Sequence, residues 1–281
     1  MHGAPNSQQP SSLTASPTLA FCSISALDRS IEDAARLAAD AGLDGLEVTA
    51  HPPHLDPQAG TGAAAAAGRA VRAAGIAVVA YGSYLGRFGG RTRADAEREV
   101  AIAAALGAPL LRTWAEPDGG GLDDAAALLR AACDAAARES ITVVVERHLG
   151  SFADTAERIA ALFAAIDRPN AALNYQVLDF LPPEAATAQP ADAAQLAGAA
   201  RYFHLKNYQA NEAPGGLLLP GGSLRDGVLD YRAILAAAFD AGYQGPLTIE
   251  FLAADARPLE AKLADDVAFV RSVLHAMSDK R

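Results

Sequence analysis

The sequence predicts an α/β fold, a (β/α)8 TIM barrel formed by one domain. The chain has 281 residues, a length that α/β barrels commonly reach as a single domain. From residue 19 onward, eight short apolar runs alternate with longer segments rich in Ala and Leu. Hydrophobic residues make up 51% of the chain and aromatic residues only 6%, which suits Ala-rich helices packed on Val-rich strands. We therefore expect a closed parallel sheet covered by helices.

The predicted strands show no clean alternation of polar and apolar residues, which is typical of strands buried on both faces. They lie at residues 19–25, 45–49, 76–81, 109–114, 142–147, 171–176, 202–206 and 247–251. A helix is predicted over 30–41, with Ser30 and Asp33 in a capping arrangement and Gly42 at its end. The last helix is predicted over 258–276. No G-x-G-x-x-G follows the first strand, so a doubly wound sheet with a dinucleotide site is disfavoured.

Two connections rich in Gly, 82–92 and 207–230, are longer than the others. Connections of this length in a compact domain are usually lids or binding loops.

The charge and composition of the chain limit the classes of partner that we expect for it. The formal net charge is −10, from 23 basic and 33 acidic residues, and an acidic chain is poorly suited to displace counterions from nucleic acid. Cys22 and Cys133 show no spacing typical of a metal site or a disulfide framework. No apolar run approaches a membrane span, and residues 1–18 lack the features of a signal peptide. We expect a cytoplasmic protein with a small-molecule partner and neither nucleic acid nor membrane, a poorly ordered tail at 1–18 and one barrel domain at 19–281.

Polar residues stand where the predicted strands end, and in a barrel these ends form one rim that carries the chemistry. The residues at these ends are Glu47, Arg112, Trp114, Glu146, His148, Asn174, Gln176, His204, Lys206 and Glu250. Taken singly, most have simpler explanations: Glu47 as an ion-pair partner, Lys206 and Arg147 as solvated charges, Trp114 as a packing residue. Glu146 and Glu250, however, both end apolar strands, where a carboxylate is costly unless it is paired or ligated.

Four neighbouring strands therefore bring oxygen and imidazole ligands to one rim. The candidate metal ligands are Glu146, Gln176, His204 and Glu250. Such a set suits Mn²⁺, Mg²⁺ or Co²⁺, with Zn²⁺ a further choice, and two carboxylates would partly neutralise the ion.

Several segments together resemble the xylose isomerase-like TIM barrels of the sugar phosphate isomerase/epimerase superfamily. They are "GLEV", "VVVERH", "LNYQVLDF", "YFHLKN", "DGVLDY" and "LTIEF". The resemblance implies that Glu146, His204 and Glu250 are metal ligands and that the two glutamates form an acid/base pair. The sixth strand departs from the pattern, because Gln176 and Asp179 stand where ketose epimerases of this kind usually have Asp and, three residues later, His.

We therefore predict metal-assisted proton transfer next to a carbonyl of a sugar or polyol-like substrate, through an enediolate, as in isomerases and epimerases. Substrate contacts are expected from His148, Lys206, Arg112 and Glu47. The alternatives are a lyase of the inosose dehydratase kind, or one that cleaves an unusual glycosidic carbon bond, and a non-catalytic sugar-binding protein. A nuclease resembling endonuclease IV is disfavoured because only six His are present and the chain is acidic. The sequence leaves open a homodimer or homotetramer.

Overall fold

A computed structural model describes residues 16–88, 90–117, 120–211, 213 and 216–279. Most of the predicted tail at 1–18 lies outside these residues. Within them, eight parallel strands close into a barrel in the order β1-β10-β7-β6-β5-β4-β3-β2, which confirms the predicted fold. The barrel strands are β1 (Leu19–Cys22), β2 (Gly45–Thr49), β3 (Ala77–Gly82), β4 (Leu110–Thr113), β5 (Thr142–Glu146), β6 (Ala171–Tyr175), β7 (Ala200–Leu205) and β10 (Leu247–Ile249).

Helices follow the strands and cover the outside of the barrel. They are α1 (Ile31–Asp40), α2 (Gly60–Ala73), α3 (Arg93–Leu106), α4 (Leu122–Ala136), α5 (Ala156–Ile166), α6 (Gln189–Leu196), α7 (Tyr231–Asp240) and α8 (Leu259–Ser278). The predicted cap of α1 is present: the Ser30 side chain accepts a hydrogen bond from the Asp33 backbone N–H. The helix at 258–276 is confirmed as α8, displaced at each end by one or two residues.

Strands β1 and β10 end two or three residues earlier than predicted because the chain turns directly after them. After β1, Ser23–Ala26 form a 3₁₀ turn, and the Ser23 hydroxyl accepts a hydrogen bond from the Thr49 backbone N–H at 3.0 Å. After β10, the Glu250 backbone N–H still bonds to Leu205, but Phe251 has a left-handed conformation with φ of 45°. The turn after β10 leaves the Glu250 side chain at the C-terminal rim of the barrel.

The predicted loop 207–230 contains a β-hairpin. Its strands are β8 (Asn207–Gln209) and β9 (Leu219–Gly222), which pair antiparallel beside the rim. The two strands are short, β9 ends in two glycines, and neither strand is long enough to show a clear alternation of polar and apolar residues, which explains why the sequence pattern indicates a loop here.

Two apolar layers surround the strands. The larger one lies between the barrel and the helices, and the smaller one fills the barrel interior. The interior layer consists of Ala20, Val79, Ala80, Val144, Ala172 and Tyr202, with Leu110 packed against it. Small side chains on three strands leave room for one large ring, so Tyr202 forms a floor directly below the rim. No helix in the described part of the chain is long and apolar enough to cross a membrane.

Candidate active site

Charged side chains at the C-terminal mouth of the barrel form one connected series of ion pairs, which we call the charge chain. Negative and cationic groups alternate along it in the order Glu146, Arg112, Glu47, His204, Glu250, Lys206 and Asp179. Apart from Asp179, whose side chain is 17% exposed, every member is buried. Because buried charges are costly unless paired, the alternation itself explains how the mouth holds four carboxylates.

Arg112, on β4, joins two of these carboxylates. Its Nε donates to Glu47 Oε1 at 2.8 Å, and its Nη1 donates to Glu146 Oε2. Burial by itself lowers the pKa of Arg112, but Glu146 and Glu47 raise it well above its ordinary value. Space for this pair comes from Gly82 at the end of β3, where a Cβ atom would lie 2.6 Å from Arg112 Nη2 and closer still to Glu47 Oε1.

Glu47 also accepts a hydrogen bond from the tyrosine that lies below the mouth. The Tyr202 hydroxyl donates to Glu47 Oε2 at 2.6 Å, and the Thr248 hydroxyl donates to the Tyr202 hydroxyl oxygen at 2.8 Å. Burial alone would raise the pKa of Glu47, but His204 and Arg112 hold it well below its ordinary value. Glu47 is therefore a fixed anion that positions its neighbours.

His204 lies between two carboxylates. Its Nε2 lies 2.6 Å from Glu47 Oε2, and its Nδ1 lies 3.4 Å from Glu250 Oε1. Burial alone would lower the pKa of His204, but Glu47 and Glu250 raise it to about 10. An imidazolium donates from both nitrogens, so His204 acts here as a cation. The Asn174 Nδ2 lies 3.3 Å from His204 Nδ1. Turning the Asn174 amide would offer the Nδ1–H a second acceptor beside Glu250, and would give a donor to Asn174 Oδ1, which has none among the described residues.

Glu250 carries the oxygen most available for chemistry. Its Oε2 is buried and accepts no hydrogen bond from a described residue, while Lys206 Nζ lies 3.8 Å away. Burial alone would raise the pKa of Glu250, but His204 lowers it to about 2. Glu250 is therefore ionised at neutral pH and has a free lone pair in the mouth.

Lys206 is only 2% exposed and is paired on its other side. Its Nζ lies 3.0 Å from Asp179 Oδ1, which also accepts a hydrogen bond from the Tyr208 hydroxyl at 2.9 Å. Asp179, which stands where the resembling epimerases usually have His, thus anchors a lysine.

Gln176 presents its amide nitrogen to the charge chain. Its Nε2 donates to Glu146 Oε1 at 2.9 Å and to the Arg147 carbonyl at 2.7 Å. Because both partners are acceptors, the orientation of the amide is determined, and Gln176 Oε1 is left without a donor among the described residues. A substrate hydroxyl is a suitable donor for this oxygen.

His148 lies on a separate aromatic wall. Its ring meets the Trp114 ring edge to face, with 5.0 Å between centroids, and its Nδ1 lies 3.5 Å from Glu116 Oε1. Tyr84 stacks on the other side of Trp114, with centroids 6.2 Å apart. Trp114 is buried and packs against both rings, as expected of a packing residue.

The structure brings most of the predicted site residues into direct contact. Those joined in one network are Glu47, Arg112, Glu146, Gln176, His204, Lys206 and Glu250. Lys206 and Arg147 are buried and ion-paired, so interpreting them as solvated charges is wrong. Sequence reasoning missed the role of Tyr202, which the period of two places on the same strand face as His204.

The residues predicted to hold a metal do not fit one in this arrangement. Both Glu146 oxygens receive N–H donors, from Arg112 and Gln176, and both His204 nitrogens face carboxylates. In the part of the chain that the structure describes, no group of three or more His, Cys, Asp or Glu side chains is arranged to hold a metal ion. The charges that face one another in this mouth are therefore those of the protein's own side chains.

The fold and the mouth define a (β/α)8 barrel whose C-terminal rim carries ion-paired carboxylates. The sequence model of the xylose isomerase-like TIM barrel family matches residues 35–273, and the chain belongs to that family. A comparison with curated protein sequences finds no match.

Solved structures of low sequence identity share the fold. A xylose isomerase-like TIM barrel protein from Mycobacterium smegmatis in complex with magnesium has a TM-score of 0.67 and 18% identity, over 93% of this chain and 97% of that one. An L-ribulose 3-epimerase has a TM-score of 0.69 and 18% identity, over 94% and 96% of the two chains. A probable 3-DHS dehydratase from Bacillus anthracis has a TM-score of 0.68 and 18% identity, over 90% and 98%.

Proposed function

We propose that the chain is an isomerase or epimerase that moves a proton next to the carbonyl group of a sugar or polyol-derived substrate. Family membership supports this class of reaction, and solved structures with the same fold include an epimerase and a probable dehydratase. The observation that carries the proposal is Glu250 Oε2, an ionised carboxylate oxygen that accepts no hydrogen bond from any described residue and lies beside an ammonium group at the catalytic end of the barrel.

Glu250 is the proposed base. A carboxylate whose pKa is about 2 is ionised and ready to accept a proton, but it is a weak base. The reaction therefore requires strong stabilisation of the enediolate oxygen. Lys206, whose Nζ is close to Glu250 Oε2, is the proposed donor to that oxygen, since a fixed cation in a buried mouth stabilises developing negative charge without reorganisation.

Glu146 is the proposed second carboxylate of the pair. Arg112 and Gln176 fix its position, so it meets a bound substrate in one orientation. For epimerisation, Glu146 would take up a proton from solvent and pass it to the opposite face of the same carbon, while Glu250 releases its proton to solvent. For isomerisation, Glu250 would return its own proton to the neighbouring carbon, while a hydroxyl proton moves between the two enediolate oxygens. Gln176 Oε1 would accept a substrate hydroxyl and hold the carbon chain in place.

Loss of a hydroxyl from the same enediolate gives a dehydratase, the alternative in the lyase class. In that case Lys206 would deliver a proton to the leaving hydroxyl.

The reaction predicted from the sequence also uses a divalent ion, Mn²⁺, Mg²⁺ or Co²⁺. The ion would be held by Glu146, Gln176, His204 and Glu250. A relative solved with magnesium supports that reaction, but it requires Gln176 to turn its amide and Arg112 to release Glu146.

Proton exchange in heavy water tests the proposal, because exchange reports enolisation whatever the net reaction. The purified protein is incubated with a panel of ketoses and inososes, with chelator and separately with Mn²⁺, and deuterium uptake is followed by NMR. Glu250→Gln should reduce exchange by about 10²- to 10⁴-fold, since an amide cannot accept the proton.

Glu260→Gln is the matched control, because Glu260 is exposed and pairs with Arg29 and not with a member of the charge chain, and it should leave exchange unchanged. Near-native exchange in folded Glu250→Gln would contradict the role of Glu250. A wild-type protein that binds a panel sugar without exchange under either condition would indicate a non-catalytic binding protein.

A further inference from the structure

We infer that this mouth is built to work without a divalent ion, and that Arg112 and Gln176 are the two residues that exclude one. The inference rests on the proposed function, since it concerns which groups supply positive charge to that reaction. It departs from the metal site that the family resemblance implies, and it stands on contacts of this chain's own residues.

Arg112 occupies the electrostatic position of a cation. A guanidinium remains protonated at any physiological pH, and this one is 3% exposed and bonded to Glu47 and Glu146 together. A divalent ion that approaches Glu146 would meet a fixed positive charge already bonded to Oε2. Gly82 provides the space that keeps the guanidinium there.

Gln176 occupies the second oxygen of Glu146 by donating a hydrogen bond to it. An aspartate at this position would add a negative charge and turn an oxygen toward the ion, whereas Gln176 is neutral and points N–H bonds at Glu146 Oε1 and the Arg147 carbonyl. To coordinate a metal beside Glu146, the amide would have to turn, which would lose both bonds and bring its oxygen against two other oxygens.

The other carboxylates of the mouth also lie beside cationic side chains of the protein. Four carboxylates of the charge chain are interleaved with Arg112, Lys206 and His204, so each carboxylate group already lies against a side chain of the protein that a divalent ion would have to displace. Asp179 is held by Lys206 at 3.0 Å, and Glu250 leaves its Oε2 open, which by itself is too few oxygens to hold a divalent ion.

Calorimetric titration with MnCl₂ tests the inference. The chelator-treated wild type should show no saturable binding up to about 1 mM Mn²⁺, and Mn²⁺ should not raise its melting temperature. The double variant Arg112→Met/Gln176→Asp, which removes the fixed cation and restores a carboxylate, should bind one ion per chain at least about tenfold more tightly. A purely structural role for Arg112 would not produce such a gain.

The matched control is Arg36→Met/Gln58→Asp, in which the same two changes are made at exposed positions and no gain is expected. Wild-type binding of one Mn²⁺ per chain with a Kd below about 0.1 mM would overturn the inference. If the double variant does not fold, Gln176→Asp alone, which keeps the guanidinium, should bind no more than weakly, and the wild-type titration still decides.

The failures of the two proposals are distinguishable. Exchange that appears only with added Mn²⁺ would overturn this inference and leave the proposed function standing. Absence of Mn²⁺ binding together with absence of exchange on every substrate would leave the charge arrangement standing and overturn the proposed function.

Discussion

His204 Nε2 lies 2.6 Å from Glu47 Oε2, although 157 residues separate the two in the chain. Glu47 sits on β2 and His204 on β7, so their contact joins strands that are not neighbours in the barrel. Both side chains are fully buried. The pair is therefore the central link of the charge chain, on which the positions of Arg112 and Glu250 depend.

We expect Glu47→Gln to destabilise the protein by about 2–4 kcal/mol, because it leaves Arg112 and His204 buried with one counter-charge fewer. Urea unfolding followed by circular dichroism measures the change. Glu260→Gln, at an exposed ion pair, should cost less than about 0.5 kcal/mol. An equal effect of the two substitutions would show that the buried pair contributes little.

Gly82→Ala should distort the Glu47–Arg112 pair, since its Cβ would lie 2.6 Å from Arg112 Nη2. We expect a loss of about 1–3 kcal/mol in the free energy of unfolding, the usual cost of overpacking. Gly62→Ala in α2 is the control, because its Cβ meets nothing within 4 Å and helical Ala is favoured over Gly. A stable Gly82→Ala protein with unchanged unfolding would mean that the pair relaxes freely.

A double-mutant cycle should reveal coupling between Asp179 and Lys206, whose charged atoms lie 3.0 Å apart. Asp179→Asn and Lys206→Met should each destabilise, while the double variant should lose less than the sum. The expected coupling is about 1–3 kcal/mol because the lysine is buried. Additive effects in urea unfolding would contradict an ion pair that anchors Lys206.

Stability should depend on pH through Asp266 in α8, which accepts a hydrogen bond from the Leu224 N–H at 2.8 Å. Burial raises the pKa of Asp266 to about 6. The folded protein therefore holds this proton more tightly than the unfolded chain does. The cost of burying the charged form is fully present above pH 6 and disappears as the pH falls toward the ordinary value near 3.8.

Asp266→Asn keeps the acceptor and never ionises, so it should be more stable than the wild type by about 2–3 kcal/mol at pH 7.5. The advantage should shrink to near zero at about pH 4. Thermal or urea unfolding across this range provides the measurement, with Asp123→Asn at an exposed position of α4 as the control. A difference between Asp266→Asn and the wild type that does not vary with pH would contradict the shift.

The fold was predictable because its signal is local. Each barrel strand is a short apolar run followed by a helix, so counting the runs was enough to predict a closed barrel. The residues that lie in the site were predictable too, because parallel strands bring their C-terminal ends to one rim. The positions of Glu47, Arg112 and Glu250 at the ends of three strands predict that they share one mouth, as the structure has them.

Which residue pairs with which could not be predicted. The sequence predicts that Glu146 and Glu250 share a metal, whereas Arg112 on β4 and Lys206 directly after β7 each place a protein cation beside one of these carboxylates. Those contacts depend on side-chain length and strand register, which no single segment encodes. Two register shifts, beside Glu47 and Asn174, illustrate the difficulty, because they change which residues lie opposite each other.

The floor below the mouth restricts how descendants of this chain can diverge. Tyr202 fits only because Ala20, Ala80 and Ala172 are small. A larger residue at any of these three positions would require a smaller one at 202, and that exchange would also remove the hydroxyl that supports Glu47. Single replacements are therefore disfavoured, and these four positions should be inherited as a unit or exchanged together.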